Sequence, residues 1–397
     1  MIRPLYFEES SNGEESSRDT AHAELPHVLL VLDQFPKTLG GGERIVLKLA
    51  GLLPQYGYRV SILTFSAHPD SAGLKSPPCS VYLLPLQRTY DLTAMRGSLD
   101  LRRFLKEQRI RIVQTFFESS DIWAGFVTKA MSNAKLIWSR RDMGILRTGK
   151  HHAAYRLMAG APDKVFAVSE QVRRHCIEVD GVDPSRVQTV YNGLDLADWN
   201  ADPRSAELSG ESGGQSIVAT VGNIRRVKGH DVFIRAAASV AEKFPNSSFR
   251  IAGDVLEPEY FQELQALVSE LKLSDRFHFV GGVTNLRDYL STAEVFVLPS
   301  RSEGFSNAIV EAMAAALPVV ATNVGGNAEA VQDGVSGIIV PADDPDALAS
   351  AIVDLLSDTA KAKQMGEAGK RLAAEKFTTE AMMGQITSVY ASLLRGE

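Results

Sequence analysis

Cysteine is nearly absent: Cys79 and Cys176 are the two thiols in 397 residues, far apart and without any Cys-x-x-Cys or Cys/His ligand spacing. That pattern excludes a disulfide-stapled scaffold and a structural zinc site, and it fits a reducing compartment. Long apolar runs are missing as well. The best candidate, Ala312 to Ala321, is interrupted by Pro318 and is too short to span a bilayer. The first 26 residues carry Glu8, Glu9, Glu14, Glu15, Asp19 and Glu24 but no apolar core like that of a signal peptide, so segment 1–26 reads as a disordered polar tail on a cytoplasmic protein. Nor is there an excess of positive charge. A formal net charge of −6 argues against coating nucleic acid, because phosphate neutralisation needs a basic surface.

What is present is the composition of a globular chain, 45% hydrophobic and 23% charged, long enough for two cores. HVLLVLDQF from His27 is a short apolar run of the kind that forms a fully buried parallel strand. Gly40-Gly41-Gly42 follows, and then Ile45, Val46, Leu49, Leu52 and Leu53 recur at helical spacing. Strand-like and helix-like stretches alternate from there to Tyr191, which predicts α/β architecture with a parallel sheet over 27–200. Periodicity fails in the Ser- and Gly-rich stretch ADPRSAELSGESGGQS, the best linker in the chain. It restarts at SIVATVGN, and a second doubly wound domain is expected over 201–376.

Three features carry chemistry. Gly41 and Gly42 lie between a strand and a helix, where backbone without Cβ atoms approaches a phosphate closely. The spacing there is not Gly-x-Gly-x-x-Gly and lacks a Walker lysine, so a tight structural turn and a phosphate site both fit. VGNIRRVKG places Arg225, Arg226 and Lys228 between a strand and a helix, where cations suit a diphosphate and the charge that grows on it as a glycosidic bond breaks. PSRSEGFSNAIVEAMAAALPVVATNVGG sets Glu303 on a loop and Glu311 within the following helix, with backbone N–H groups of Gly304, Phe305 and Ser306 at the helix start.

In succession these pieces resemble glycosyltransferase family 4, together with AVSE at Ala167 to Glu170, YNGLD at Tyr191 to Asp195, HFVGGV at His278 to Val283 and Gly325-Gly326-Asn327-Ala328-Glu329. The resemblance runs from His27 onward and is densest between Ser216 and Ala342. It implies a GT-B fold, two Rossmann-like domains facing across a cleft, with the C-terminal helix 377–397 completing the N-terminal domain. It also implies a retaining transferase that moves a hexose-type sugar from a UDP- or GDP-linked donor to a hydroxyl acceptor, lipid-linked or part of an envelope polysaccharide. Glu303 and Glu311 resemble the family's E-x7-E pair, and Lys228 the lysine that holds the donor diphosphate. The arginine common after the loop glycine Gly222 is Asn223 here, which leaves Arg225 or Arg226 to supply a guanidinium. Gly41, Gly42, Gly222, Asn223, Gly281, Gly304, Phe305, Ser306 and Asn307 complete the donor-binding set that the resemblance implies.

No metal constellation is visible, and neither a metal nor another cofactor is expected. On the acceptor side the histidines common in relatives are missing near Phe116 and in SRRD, where Glu118, Arg140 and Arg141 stand as candidates. The segment from Arg88 to Arg156 is basic, and with Met143, Ile145, Leu146 and Tyr155 it reads either as an anionic-membrane surface, making the protein peripheral, or as scattered surface charge. Two other functions fit the fold: a nucleotide-sugar epimerase or hydrolase, and a non-catalytic subunit of a polysaccharide complex.

Overall fold

Short runs rich in Val, Ile and Leu, closed by Gly, Pro or Asn in the second half of the chain, build two sheets in the computed structural model, which describes residues 2–6, 25–86, 88–89, 91–144, 147–200 and 215–396. The chain divides into two units, Met1–Val190 with Met383–Glu397, and Tyr191–Met382.

The first unit contains β1 (Arg3–Tyr6), β2 (His27–Phe35), α1 (Gly41–Leu52), β3 (Arg59–Ala67), β4 (Ser80–Leu83), α2 (Leu92–Glu107), β5 (Ile110–Thr115), α3 (Gly125–Met131), β6 (Lys135–Arg140), α4 (Gly149–Leu157), β7 (Lys164–Ala167), α5 (Glu170–Glu178) and β8 (Val187–Thr189). Its sheet runs β1-β4-β3-β2-β5-β6-β7-β8. All pairs are parallel except β1 on β4. Val28 to Leu32 of the central β2 are fully buried, as an uninterrupted apolar strand covered on both faces must be.

The second unit contains α6 (Ala197–Asn200), β9 (Ile217–Val221), α7 (His230–Lys243), β10 (Ser248–Ala252), α8 (Pro258–Glu270), β11 (Phe277–Gly281), α9 (Leu286–Ser291), β12 (Val295–Leu298), α10 (Asn307–Ala314), β13 (Val319–Thr322), α11 (Asn327–Ala330), β14 (Gly337–Val340), α12 (Pro345–Ser357) and α13 (Thr359–Lys376). The all-parallel order is β11-β10-β9-β12-β13-β14, the Rossmann order, with Phe233, Phe249 and Phe277 packed ring to ring in its core. Strand order reverses between β9 and β12, and in the first unit between β2 and β5. Loops leaving those strands flank the crevice in which such sheets bind ligands.

Three boundaries differ from expectation. Residues 3–6 form an edge strand on β4, so ordered structure precedes His27; a strand edge satisfies the backbone groups of a polar segment that buries no core of its own. Residues 7–24 of the expected tail and 201–214 of the expected linker lie outside the described residues. The second unit starts at Tyr191 rather than 201, because Tyr191 packs on Phe305 and Phe377 and Asn192 donates to Asn307 at 2.6 Å. The chain returns to the first unit at Met383 rather than 377, within α14 (Thr379–Arg395). Phe377 belongs to the Tyr191 cluster, whereas Tyr390 is fully buried, donates to Gln114 and meets Tyr58 edge-on.

Candidate functional site

The loop after β9 and the loop after β12 meet at the switch point of the second sheet. Lys228 Nζ donates to Glu303 Oε1 at 2.7 Å, and Ser300 Oγ donates to the same oxygen at 2.6 Å. Glu303 is nearly buried, with 9% of its side chain exposed, and Lys228 keeps 26%, so the ammonium is the more accessible partner.

Two glycines make this approach possible. Gly229 has φ +64°, and a Cβ there would stand 2.0 Å from the Pro299 carbonyl oxygen. Gly325 has φ +53°, and a Cβ there would stand 1.7 Å from the Glu303 carbonyl oxygen. Gly326 N–H donates to the Gly304 carbonyl at 3.1 Å, so the Gly325-Gly326 turn backs the Glu303 loop.

Arg301 ties the two loops from outside. It donates to both oxygens of Asp231 at 2.8 Å and to the Arg226 carbonyl at 2.8 Å, and its own N–H reaches the Val227 carbonyl at 2.8 Å. Those hydrogen bonds hold the Asp231 carboxyl down at about 2 despite its partial burial. Arg225 and Arg226 part company here. The Arg226 guanidinium pairs with Glu263 and lies over the Tyr260 ring, 4.9 Å from its centroid. Arg225, by contrast, makes a long contact to Glu257 at 3.5 Å and keeps 42% of its side chain exposed.

Gly222 lies against the Lys228 stem and the His230 ring, and Asn223 spends its side-chain oxygen on the Asp254 N–H at 3.1 Å. His230 is buried and donates through Nε2 to the Asn223 carbonyl at 3.2 Å; burial pushes its pKa down to about 4, so the ring is neutral. Gly281 ends β11 in a left-handed conformation, φ +78°, beside Gly253, whose N–H bonds its carbonyl at 2.8 Å. Ser306 stands at the N-cap position of α10 without a side-chain capping hydrogen bond, Gly304 is buried, and Glu311 sits half-buried on the second turn of that helix. The Phe305 ring packs between Tyr191 and Phe377, which leaves its backbone as the part near the helix start. The Asn307 side chain is engaged by Asn192.

In the first unit Gly41 and Gly42 open α1, as expected, with Gly40 as cap. A Cβ on Gly42 would meet the Phe117 ring at 2.7 Å. Sequence reasoning missed two carboxylates there. Asp33 accepts the N–H groups of Ser119 and Ser120 at 3.0 and 2.7 Å, tying the end of β2 to the loop after β5. Glu43 is buried and folds back on Gly40. Burial raises the pKa of each, with Asp33 adding to the rise at Glu43. The available signal was an aspartate ending an otherwise apolar strand.

The acceptor-side candidates have different fates. Arg140 is 3% exposed and is committed to Asp180 at 3.0 Å and Asp121 at 3.9 Å, so its role is corrected from acceptor contact to buried framework. Arg147, one of the cations of the basic segment, has a side chain only 1% exposed, shares Asp180 at 2.9 Å and reaches the half-buried Glu118 at 3.6 Å. Arg141 is half-buried. Tyr155 is fully buried, its ring under both guanidiniums and its hydroxyl donating to Asp121 at 2.9 Å; it is therefore not the exposed apolar residue expected of a membrane surface. Burial also raises Asp121 to about 7. Met143 is half-buried, and Ile145 and Leu146 lie outside the described residues. Among the described residues no group of three or more His, Cys, Asp or Glu is arranged to hold a metal ion, and no helix is long and apolar enough to cross a membrane.

Residues 203–372 match the family model described as glycosyl transferases group 1, and residues 39–198 match that of Glycosyltransferase Family 4. The chain is 34% identical over 244 residues to D-inositol 3-phosphate glycosyltransferase 2 of Catenulispora acidiphila, spanning 58% of this chain and 56% of that one. It is 30% identical over 255 residues to the lipopolysaccharide core biosynthesis mannosyltransferase LpsB of Rhizobium meliloti, spanning 62% and 70%. Against other curated relatives the match spans as little as 46% of their length. In fold it is similar to Anabaena HepE in complex with UDP, with a TM-score of 0.83 and 20% identity over 92% of this chain and 100% of that one.

Proposed function

The chain belongs to glycosyltransferase family 4, and on that premise we propose that it transfers a hexose-type sugar, with retention, from a UDP- or GDP-linked donor to a hydroxyl acceptor of a lipid-linked or envelope glycan. The observation that carries this reading is the Lys228–Glu303 contact of 2.7 Å at the switch point of the second sheet, an accessible ammonium beside a carboxylate where a sugar diphosphate would lie. Supporting it are the UDP held by HepE and the names of the curated transferases.

In the proposed step the acceptor oxygen bonds to the anomeric carbon as the bond from that carbon to the diphosphate oxygen breaks. The electron pair leaves with the diphosphate, and the acceptor proton passes to the departing phosphate oxygen on the same face. Lys228 and Arg225 stabilise the charge that accumulates on the leaving group. Arg225 is preferred to Arg226 because the second guanidinium is already paired and stacked. Glu303 orients the donor sugar, Glu311 the ribose, and backbone groups near Gly281 the base. No metal takes part.

The test is transfer from UDP- and GDP-sugars with products identified with and without acceptor, which separates transfer from epimerisation and hydrolysis. Lys228→Ala is expected to lower turnover at saturating donor by about 100-fold or more, and EDTA is expected to leave wild-type turnover unchanged. Near-normal turnover of Lys228→Ala, or loss in EDTA restored by Mg²⁺, would reject the respective assignment.

A further inference from the structure

Helix α2 buries Ala94, Gly97, Leu101, Phe104 and Leu105 on one side. The opposite side is unusual. Leu92, Met95 and Leu99, spaced i, i+3, i+7, are 75%, 68% and 56% exposed, so they form one apolar stripe pointing away from the unit. Arg96, Arg102, Arg103 and Lys106 are all exposed and fall on the same side of the helix, because Arg96 and Arg103 follow Leu92 and Leu99 by one turn and Arg102 and Lys106 follow Met95 and Leu99 by seven. Of the acids of the helix, Asp100 is half-buried and Glu107 exposed, one turn on from Arg96 and Arg103 at the edge of the patch, and Asp91 is occupied in capping the Ala94 N–H at 2.8 Å.

We propose that this face of α2 lies on an anionic lipid bilayer, the three apolar side chains entering the headgroup boundary and the four cations meeting lipid phosphates. Charge complementarity selects the occupant. Residues 88–111 hold seven arginines and lysines against three acids in a chain whose net charge is −6, so the basic patch is local. A second copy is disfavoured, since a two-fold contact would set the same four cations against themselves. A bare polyanion leaves Leu92, Met95 and Leu99 in water, whereas a bilayer interface buries them. The inference is independent of the proposed reaction, because binding is read without any sugar transfer.

The experiment is cosedimentation of the full chain with vesicles of phosphatidylcholine alone and with about 30% phosphatidylglycerol, at about 0.1 M salt and again at about 1 M, where the Debye length falls from about 10 to about 3 Å. Binding is expected only with the anionic vesicles and is expected to weaken with salt. Arg102→Glu/Arg103→Glu and, separately, Leu92→Ser/Leu99→Ser are each expected to weaken it by about tenfold or more. Both variants change exposed positions only, and an unchanged melting temperature shows that the fold persists. Equal sedimentation of wild type and both variants, or none of the wild type, overturns the proposal. So does a dimer in light scattering that Leu92→Ser/Leu99→Ser converts to monomer, since a second copy would then cover the face.

Discussion

Gly325→Ala separates the cost of a left-handed residue from the cost of displacing Glu303. The native residue has φ +53°, where an L side chain costs about 1–2 kcal/mol. Its new Cβ would stand 1.7 Å from the Glu303 carbonyl oxygen and 2.6 Å from the carbonyl carbon, well inside contact distance, so one backbone must move by about an ångström. That displacement is expected to bring the total destabilisation to roughly 3 kcal/mol or more. It also opens the contacts of Glu303 with Lys228 at 2.7 Å and Ser300 at 2.6 Å. Misplacement on that scale at a reacting centre costs on the order of 100-fold in rate. Gly334 supplies the control: its φ is +73°, yet nothing lies within 4 Å of a Cβ placed there. Gly334→Ala should therefore lose about 1–2 kcal/mol and keep its rate. Urea denaturation and kcat/KM for the two variants, measured side by side, decide the matter. If Gly325→Ala matches Gly334→Ala in both, the close approach to Glu303 has no energetic or functional weight, and the reasoning fails.

Arg225→Ala is expected to lower kcat/KM by about tenfold or more, and Arg226→Ala by less than about threefold, since the Arg226 guanidinium is already paired with Glu263 and stacked on Tyr260; the reverse order in donor kinetics would reassign the diphosphate contact. Acid should destabilise both units through buried histidines. His27 and His230 titrate near 6.5 when unfolded and at about 4 when folded, so between those values the unfolded chain binds more protons. Their contribution is complete above pH 6.5 and declines as pH falls toward 4, by roughly 2 kcal/mol per histidine at pH 5. Melting temperatures at pH 7.5 and 5 check this, and His27→Asn and His230→Asn should each flatten the dependence; a wild-type midpoint that does not fall refutes it.

The order of elements, the parallel sheets and the loops that carry Lys228 and Glu303 were legible in the sequence because each depends on local pattern. Apolar runs of strand length, helical spacing and glycine at sharp turns act within a few residues, and Lys228 and Glu303 stand in loops that such patterns delimit. Pairing is another matter. That Lys228 reaches across 75 positions to Glu303, that Arg301 rather than Arg226 clamps the loop, and that Arg140 is consumed by Asp180 depend on which strands lie side by side, and sequence spacing carries no such information. Burial likewise has two sources. Val28 to Leu32 announce their interior position by composition, but Tyr155, Asp33 and Glu43 are polar groups whose environment is made by residues distant in the chain. Leu92, Met95 and Leu99 show the converse: helical spacing alone reads as a core stripe, and only the packing of α2 through Leu101, Phe104 and Leu105 leaves those three facing outward.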